Sequence, residues 1–334
     1  MWFTTRPQPP TGAARRSYRP PVAFMPAPRF AVVITAVCSV AALVFPPLAA
    51  FWGEAGHRIT AQAAAATLPA GMPQFFRDAA PQLVYLNPEP DRWRNRLEGA
   101  RDGALEGATA PDHFLDLELI PAANRAGALA AKDRYAFFDS LRARGADPAV
   151  AGALPFAILE TTQRLRVAFR QWRSATNDRE RQWIEARILN DAGILGHFVA
   201  DGSNPAHTTI HYNGWVGPNP NGYATDNRFH GRFESAYVQS RIKLADVMPS
   251  VAAEAQAFPS LRPAIVAYFM KTHGEVERLY AIDKAAPFNA ETTDEANKTF
   301  TVSRLAAGAG MLRDLWWTAW VTSARDSAQA APRR

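Results

Sequence analysis

Between His197 and Glu234, three of the histidines and two of the carboxylates stand at spacings that suit metal coordination. The chain reads H-F-V-A-D-G-S-N-P-A-H from His197 to His207 and H-G-R-F-E from His230 to Glu234. His197 and Asp201 are four residues apart, so a helix carries both side chains on one face. Asn190 and Ile194 extend that stripe backwards at steps of four and three. Asn204-Pro205 then breaks the helix and delivers His207 just beyond its end. His230 and Glu234 repeat the four-residue spacing. Taken singly, a His-x-x-x-Asp pair is more often an ordinary helix-face ion pair. Two such pairs flanking a third imidazole, in a chain with seven histidines, predict a divalent metal. Zinc is the usual choice for nitrogen and oxygen ligands of this kind.

Further candidates precede this stretch. His57 opens an alanine-rich run, a strong helix former, and taken alone it reads as a solvated or capping residue. Residues 84–116 are turn-rich and hold Asp91, Arg94, His113 and Asp116. Pro88 and Pro90 predict a rigid loop around Asp91. Asp102 and Asp112 compete with Asp91 as carboxylate ligands. His211 and His273 receive no role.

The elements that must position these residues read as helical. Helices are predicted over about 131–145, 150–176, 178–201, 229–246, 249–257, 262–282 and 292–325, with a Gly/Asn/Pro-rich loop over 212–229. No convincing strand, repeat or internal boundary interrupts residues 52–326. The expectation is one all-α, multi-helix domain with a zinc-cluster cleft, followed by a tail over 327–334.

The charge balance points away from a generally basic protein. The formal charge is +6, but five of the 37 basic residues and none of the 31 acidic ones fall within residues 1–51. The remaining 32 basic residues nearly balance the 31 acidic ones, so the basicity belongs to the leader. That leader reads as an export signal: Arg29, an apolar run from Phe30 to Phe45, Pro46-Pro47, then Leu48-Ala49-Ala50 for cleavage. A retained anchor is the alternative, although about 16 apolar residues are short for a span. A secreted or periplasmic product is expected, with no integral membrane domain after cleavage. The single cysteine, Cys38, lies inside the apolar run, so the mature chain has no disulfide.

Read together, W-G-x-x-G-H from Trp52, D-x-x-R from Asp91, D-H-F-L-D from Asp112, H-x-x-x-D-x-x-x-x-x-H from His197 and H-x-x-x-E from His230 resemble one family. It is the trinuclear-zinc phosphodiesterases, comprising the single-strand-specific nucleases and the bacterial zinc-dependent phospholipases C. The resemblance implies three zinc ions. One would lie on Asp91, His113, His197 and Asp201, and a second, more exposed one on His207, His230 and Glu234. The third would lie on the terminal amine and carbonyl of Trp52 with His57 and the bridging Asp201. The Trp52 role requires cleavage after Phe51. Arg94 and Asp91 would be the catalytic pair, the one contacting phosphate and the other orienting the attacking oxygen.

Two substrate classes remain. Phe114 and Asp116 would stack on and hydrogen-bond a base as in the nucleases, although core packing and a helix cap explain them equally well. The spacings from Trp52 to His57 and from His207 to His230 look nuclease-like, whereas Glu234 stands where nucleases usually carry Asp. A secreted endonuclease acting on single-stranded DNA or RNA is favoured over a phospholipase C. A non-catalytic metal-binding protein of the same fold is the third reading. No stable protein partner is implied.

Overall fold

A computed structural model describes residues 53–325 of the chain. The expected leader with its cleavage site and Cys38, Trp52, and the tail lie outside the described residues. Among the described residues the domain is all-α, and the only strand-like feature is an isolated bridge pairing Leu115 with Gly152. No described helix is long and apolar enough to cross a membrane.

Four helices pack around one core: an entry helix Glu54–Ala66, a central helix Leu154–Ser174, a ligand helix Asp178–Ser203 and a closing helix Glu295–Arg325. The central helix buries Leu154, Ile158, Thr161, Leu165, Ala168 and Phe169, the three-and-four spacing of a single apolar face. Pro155 stands in its first turn, where a missing N–H costs nothing. Asn177 separates it from the ligand helix and caps that helix by accepting the Glu180 N–H at 2.9 Å. At the far end of the core, Phe76 packs against both Trp316 and Phe169, Phe169 packs against Trp320, and the Trp316 indole donates to the Ala192 carbonyl at 3.2 Å. The ligand helix therefore starts at the surface and ends deep in the domain, where every residue from Leu195 to Ser203 is buried.

Four expected elements differ. The helix expected over 229–246 stops at Arg241 and is followed by a separate short helix, Leu244–Val247. Residues 249–257 are largely irregular after the short turn Met248–Ser250. The buried Arg313 of the closing helix donates to the carbonyls of Ala252 and Glu254, which supplies long-range partners in place of a local helical ladder. The helix expected over 262–282 is two, Leu261–His273 and Val276–Ala285, divided at Gly274. Asp91 sits not in a loop but in a short helix, Glu89–Trp93, whose first turn tolerates Pro90.

Candidate metal centre

The ligand helix supplies His197 and Asp201, both fully buried. Its end is fixed by Asn204, whose side-chain oxygen accepts the Ala206 N–H at 3.0 Å and so starts the tight turn Pro205–Thr208 that carries His207. His113 arrives from the turn Ala110–His113. The segment after it threads between two others: Leu115 N–H donates to His207 O at 2.9 Å and Asp116 N–H to Ala151 O at 2.8 Å. Gly152 permits this, because it has φ +84° and a Cβ there would lie 2.1 Å from the Phe114 carbonyl oxygen. His230 and Glu234 lie on a continuous helix from Phe229 to Arg241 that contains one π-helical stretch, Arg232–Tyr237. Such stretches recur at functional sites.

These elements bring the expected residues together in three groups. His57, His197 and Asp201 form one, Asp91, His113 and His197 a second, and His207, His230 and Glu234 a third; within each group the donor atoms lie within 4.8 Å of one another. Asp201 spans them. Its carboxylate lies 3.5 Å from His57 Nε2, 3.1 Å from His113 Nδ1, 3.2 Å from His197 Nε2 and 3.7 Å from His207 Nδ1. Asp91 lies 3.7 Å from His197 and 3.8 Å from His113. Asp102 is exposed and caps the Ala104 N–H, and Asp112 pairs with Arg134 at 2.8 Å, so neither competes with Asp91. Glu234 is 2.9 Å from His230 and 3.1 Å from His207.

The rings are oriented from behind. His57 Nδ1 meets the Asn87 side-chain oxygen at 3.1 Å and His197 Nδ1 meets the Asn87 carbonyl at 3.0 Å. His207 Nδ1 meets His113 O at 2.6 Å, and His230 Nδ1 meets Tyr212 O at 3.2 Å. Each of these oxygens takes the proton of one ring nitrogen and turns the other nitrogen toward the cluster, the arrangement that fixes metal-binding imidazoles. Glu234 is held in the same way by the Asn204 side-chain amide. Asn87 and Asn204, which hold these cluster residues from behind, are positions that the sequence reading missed. Asn204 carried a signal as a helix-stop residue, whereas Asn87 had none beyond its turn-rich setting.

The electrostatics favour a cation. His57 Nε2, Asp91 Oδ1 and Asp201 Oδ1 are buried with no hydrogen-bond partner, a costly state unless an ion completes it. Burial, then the neighbouring His197, pushes His57 well below the usual imidazole range. Burial likewise lowers His113 and raises the Asp91 carboxyl. Burial opposes charge on Asp201 too, yet His197 and His207 outweigh it and hold the carboxyl well below its ordinary value. A buried, all nitrogen-and-oxygen donor set with unsatisfied lone pairs fits a divalent metal ion.

A cavity of about 310 Å³ opens beside the third group, with Arg94, Phe114, Asp116 and Tyr212 in its wall along with His207 and His230. Burial, reinforced by Glu118, pushes the Asp116 carboxyl up to about 7. The cavity thus joins a guanidinium, two aromatic rings and a carboxyl that titrates near neutrality to the imidazole cluster. His211 instead stacks on Trp215 with ring centres 4.0 Å apart, and His273 Nδ1 meets the Thr208 carbonyl at 3.0 Å. Comparison of the chain with protein-family models, curated proteins and solved structures gives no match, so the residues and their geometry carry the functional reading alone.

Proposed function

We propose that the protein is a zinc-dependent phosphodiesterase, with single-stranded nucleic acid as its substrate. The observation that carries this reading is the convergence of three imidazole–carboxylate groups beside a cavity walled by Arg94. Asp91, His113, His197 and Asp201 would hold one ion, His207, His230 and Glu234 a second, and His57 and Asp201 a third together with the amino terminus of Trp52. Zinc bound there supplies Lewis acidity toward phosphate oxygens and makes water nucleophilic near neutral pH.

The chain's own groups supply the rest. Arg94 presents a planar pair of N–H donors to the non-bridging phosphate oxygens, whose negative charge grows in the transition state. Asp91, with one buried oxygen unpaired, accepts a hydrogen bond from the attacking water and aims its lone pair. Phe114 and Tyr212 offer faces on which a base stacks, and Asp116 exchanges hydrogen bonds with its polar edge. Phospholipid is the second reading, favoured by Val150, an aliphatic side chain 59% exposed in the cavity wall.

Metal analysis and hydrolysis assays on wild type, Arg94→Lys and Asp201→Asn test the proposal. Lysine keeps the charge but loses the planar fork, so Arg94→Lys should stay metal-replete and lose about 100- to 1,000-fold in turnover. Asp201→Asn removes the carboxylate shared between groups and should lose both metal and rate. Single-stranded DNA, RNA and phosphatidylcholine are the substrates to compare. Wild-type protein that is metal-loaded but inert on all three would leave a non-catalytic metal protein as the surviving reading.

A further inference from the structure

The ligand helix carries a second feature at its opposite end. Trp183 is 68% exposed, an unusual position for the largest side chain, and it stands four residues from both Arg179 and Arg187. That spacing puts all three on one face. Arg179 and Arg187 form no ion pair among the described residues; Arg187 instead donates to the Gln171 amide of the neighbouring central helix. The central helix adds Val167, 48% exposed, and Arg164, whose side chain is 65% exposed while paired with Asp191 at 2.8 Å.

Residues 163–187 hold seven arginines against the three acids Asp178, Glu180 and Glu185. Some of this charge is already engaged. Arg173 lies over the Trp320 ring at 3.3 Å, and Glu185 accepts from the Trp172 indole at 2.8 Å. Glu180 is exposed on the flank of the face.

This face lies in line with the metal centre. Eighteen residues separate Trp183 from Asp201, which is five turns of 3.6, so both point the same way off the axis. His197 is fourteen residues on, a rise of about 21 Å. Between them the stripe passes through exposed Asn190 and half-buried Ile194. There the chain crosses over it, with Leu86 filling the space beside Gly193. The preceding residue, Tyr85, is 57% exposed under the Arg92 guanidinium, 4.5 Å from its ring centre. Two residues beyond Arg92 comes Arg94, in the cavity wall.

We propose that the Arg179–Trp183–Arg187 face is a secondary binding surface for single-stranded nucleic acid, holding the strand outside the cleft that cuts it. The proposal rests on the nucleic-acid reading of the cleft. The occupant follows from chemistry. Arginines attract a polyanion, and an uncovered indole stacks on a base only where that base is unpaired.

Anisotropy with a labelled phosphorothioate oligothymidylate on the zinc-loaded mature protein, together with hydrolysis of a long strand and of a dinucleotide, tests this. Trp183→Ala should weaken strand binding about tenfold, the scale of one lost base stack. Arg179→Gln with Arg187→Gln should flatten the slope of log affinity against log salt by about 1.4, for two phosphates on a single strand. Both variants should raise KM on the long strand and leave dinucleotide hydrolysis within about twofold, since the face lies outside the cavity. Exposure keeps folding out of the comparison, and unchanged melting temperatures check it. Strand affinity indifferent to both substitutions overturns the proposal. So does an equal loss on the dinucleotide, or a Trp183 dependence confined to phosphatidylglycerol vesicles or to self-association. Strand binding that tracks Trp183 in a protein inert toward every phosphodiester would remove the catalytic reading and keep the surface. Hydrolysis without Trp183 dependence would do the reverse.

Discussion

Asn87 grips two imidazoles with different atoms, and that difference is testable. Its side-chain oxygen takes His57 Nδ1 at 3.1 Å, while its backbone carbonyl takes His197 Nδ1 at 3.0 Å. Asn87→Ala removes the first contact and leaves the second. Loss of such an orienting partner lowers metal affinity by about 10- to 100-fold. The loss should be confined to the ion proposed for His57, so titration against a competing chelator should show one weakened site and the remainder unchanged. Uniform weakening of every site would mean that Asn87 acts through the fold instead. Unchanged affinity would mean that packing, including the His57–His197 stack at 4.0 Å, orients His57 without it.

Asn87 reaches that position only because two helices approach closely. A Cβ on Gly196 would lie 2.3 Å from the Asn87 side-chain nitrogen, and one on Gly193 would lie 2.3 Å from the Leu86 Cβ. Alanine favours a helix by about 0.5–1 kcal/mol over glycine, but overpacking a filled contact costs about 1–3 kcal/mol. Gly193→Ala and Gly196→Ala should therefore lower the melting temperature, and Gly196→Ala should also loosen the His57 ion. Gly310→Ala in the closing helix, where a Cβ meets nothing within 4 Å, should raise it. If all three variants stabilise, the contact between the Ala80–Leu86 helix and the ligand helix is softer than described.

The same contrast explains what the sequence disclosed. His197–Asp201 and His230–Glu234 were legible because a four-residue step is a local rule of the helix, and the Asn204-Pro205 stop is equally local. Asn87 was hidden because its role comes from helices brought together by two glycines about a hundred residues on. Residues 249–257 misled for a related reason, since their carbonyls are taken by Arg313, more than fifty residues away.

At the scale of the whole molecule, the centre gathers residues from His57 to Glu234 that stand on separate helices and turns. An ion bound there acts as a crosslink on the native state alone. At a free concentration about 1,000 times its dissociation constant, such an ion adds about 4 kcal/mol. For a domain of this size each kcal/mol moves the melting temperature by about 2–4 °C, so chelation should lower it by roughly 8–16 °C. The size of that drop depends on pH in a definite direction. In the metal-free protein, burial opposes charge on His207, but Asp201 and Glu234 outweigh it and push the imidazole up to about 9. A group raised above its unfolded value near 6.5 adds stability below that pH and loses it as the pH climbs through 9. Metal binding needs the same nitrogens unprotonated, so it strengthens over the same window. The gap between metal-replete and chelated melting temperatures should therefore widen from about pH 6.5 to pH 9. Paired melting curves across that range, with metal content measured at each point, decide the matter. A gap that narrows with rising pH while metal content holds would show that His207 does not share the ion.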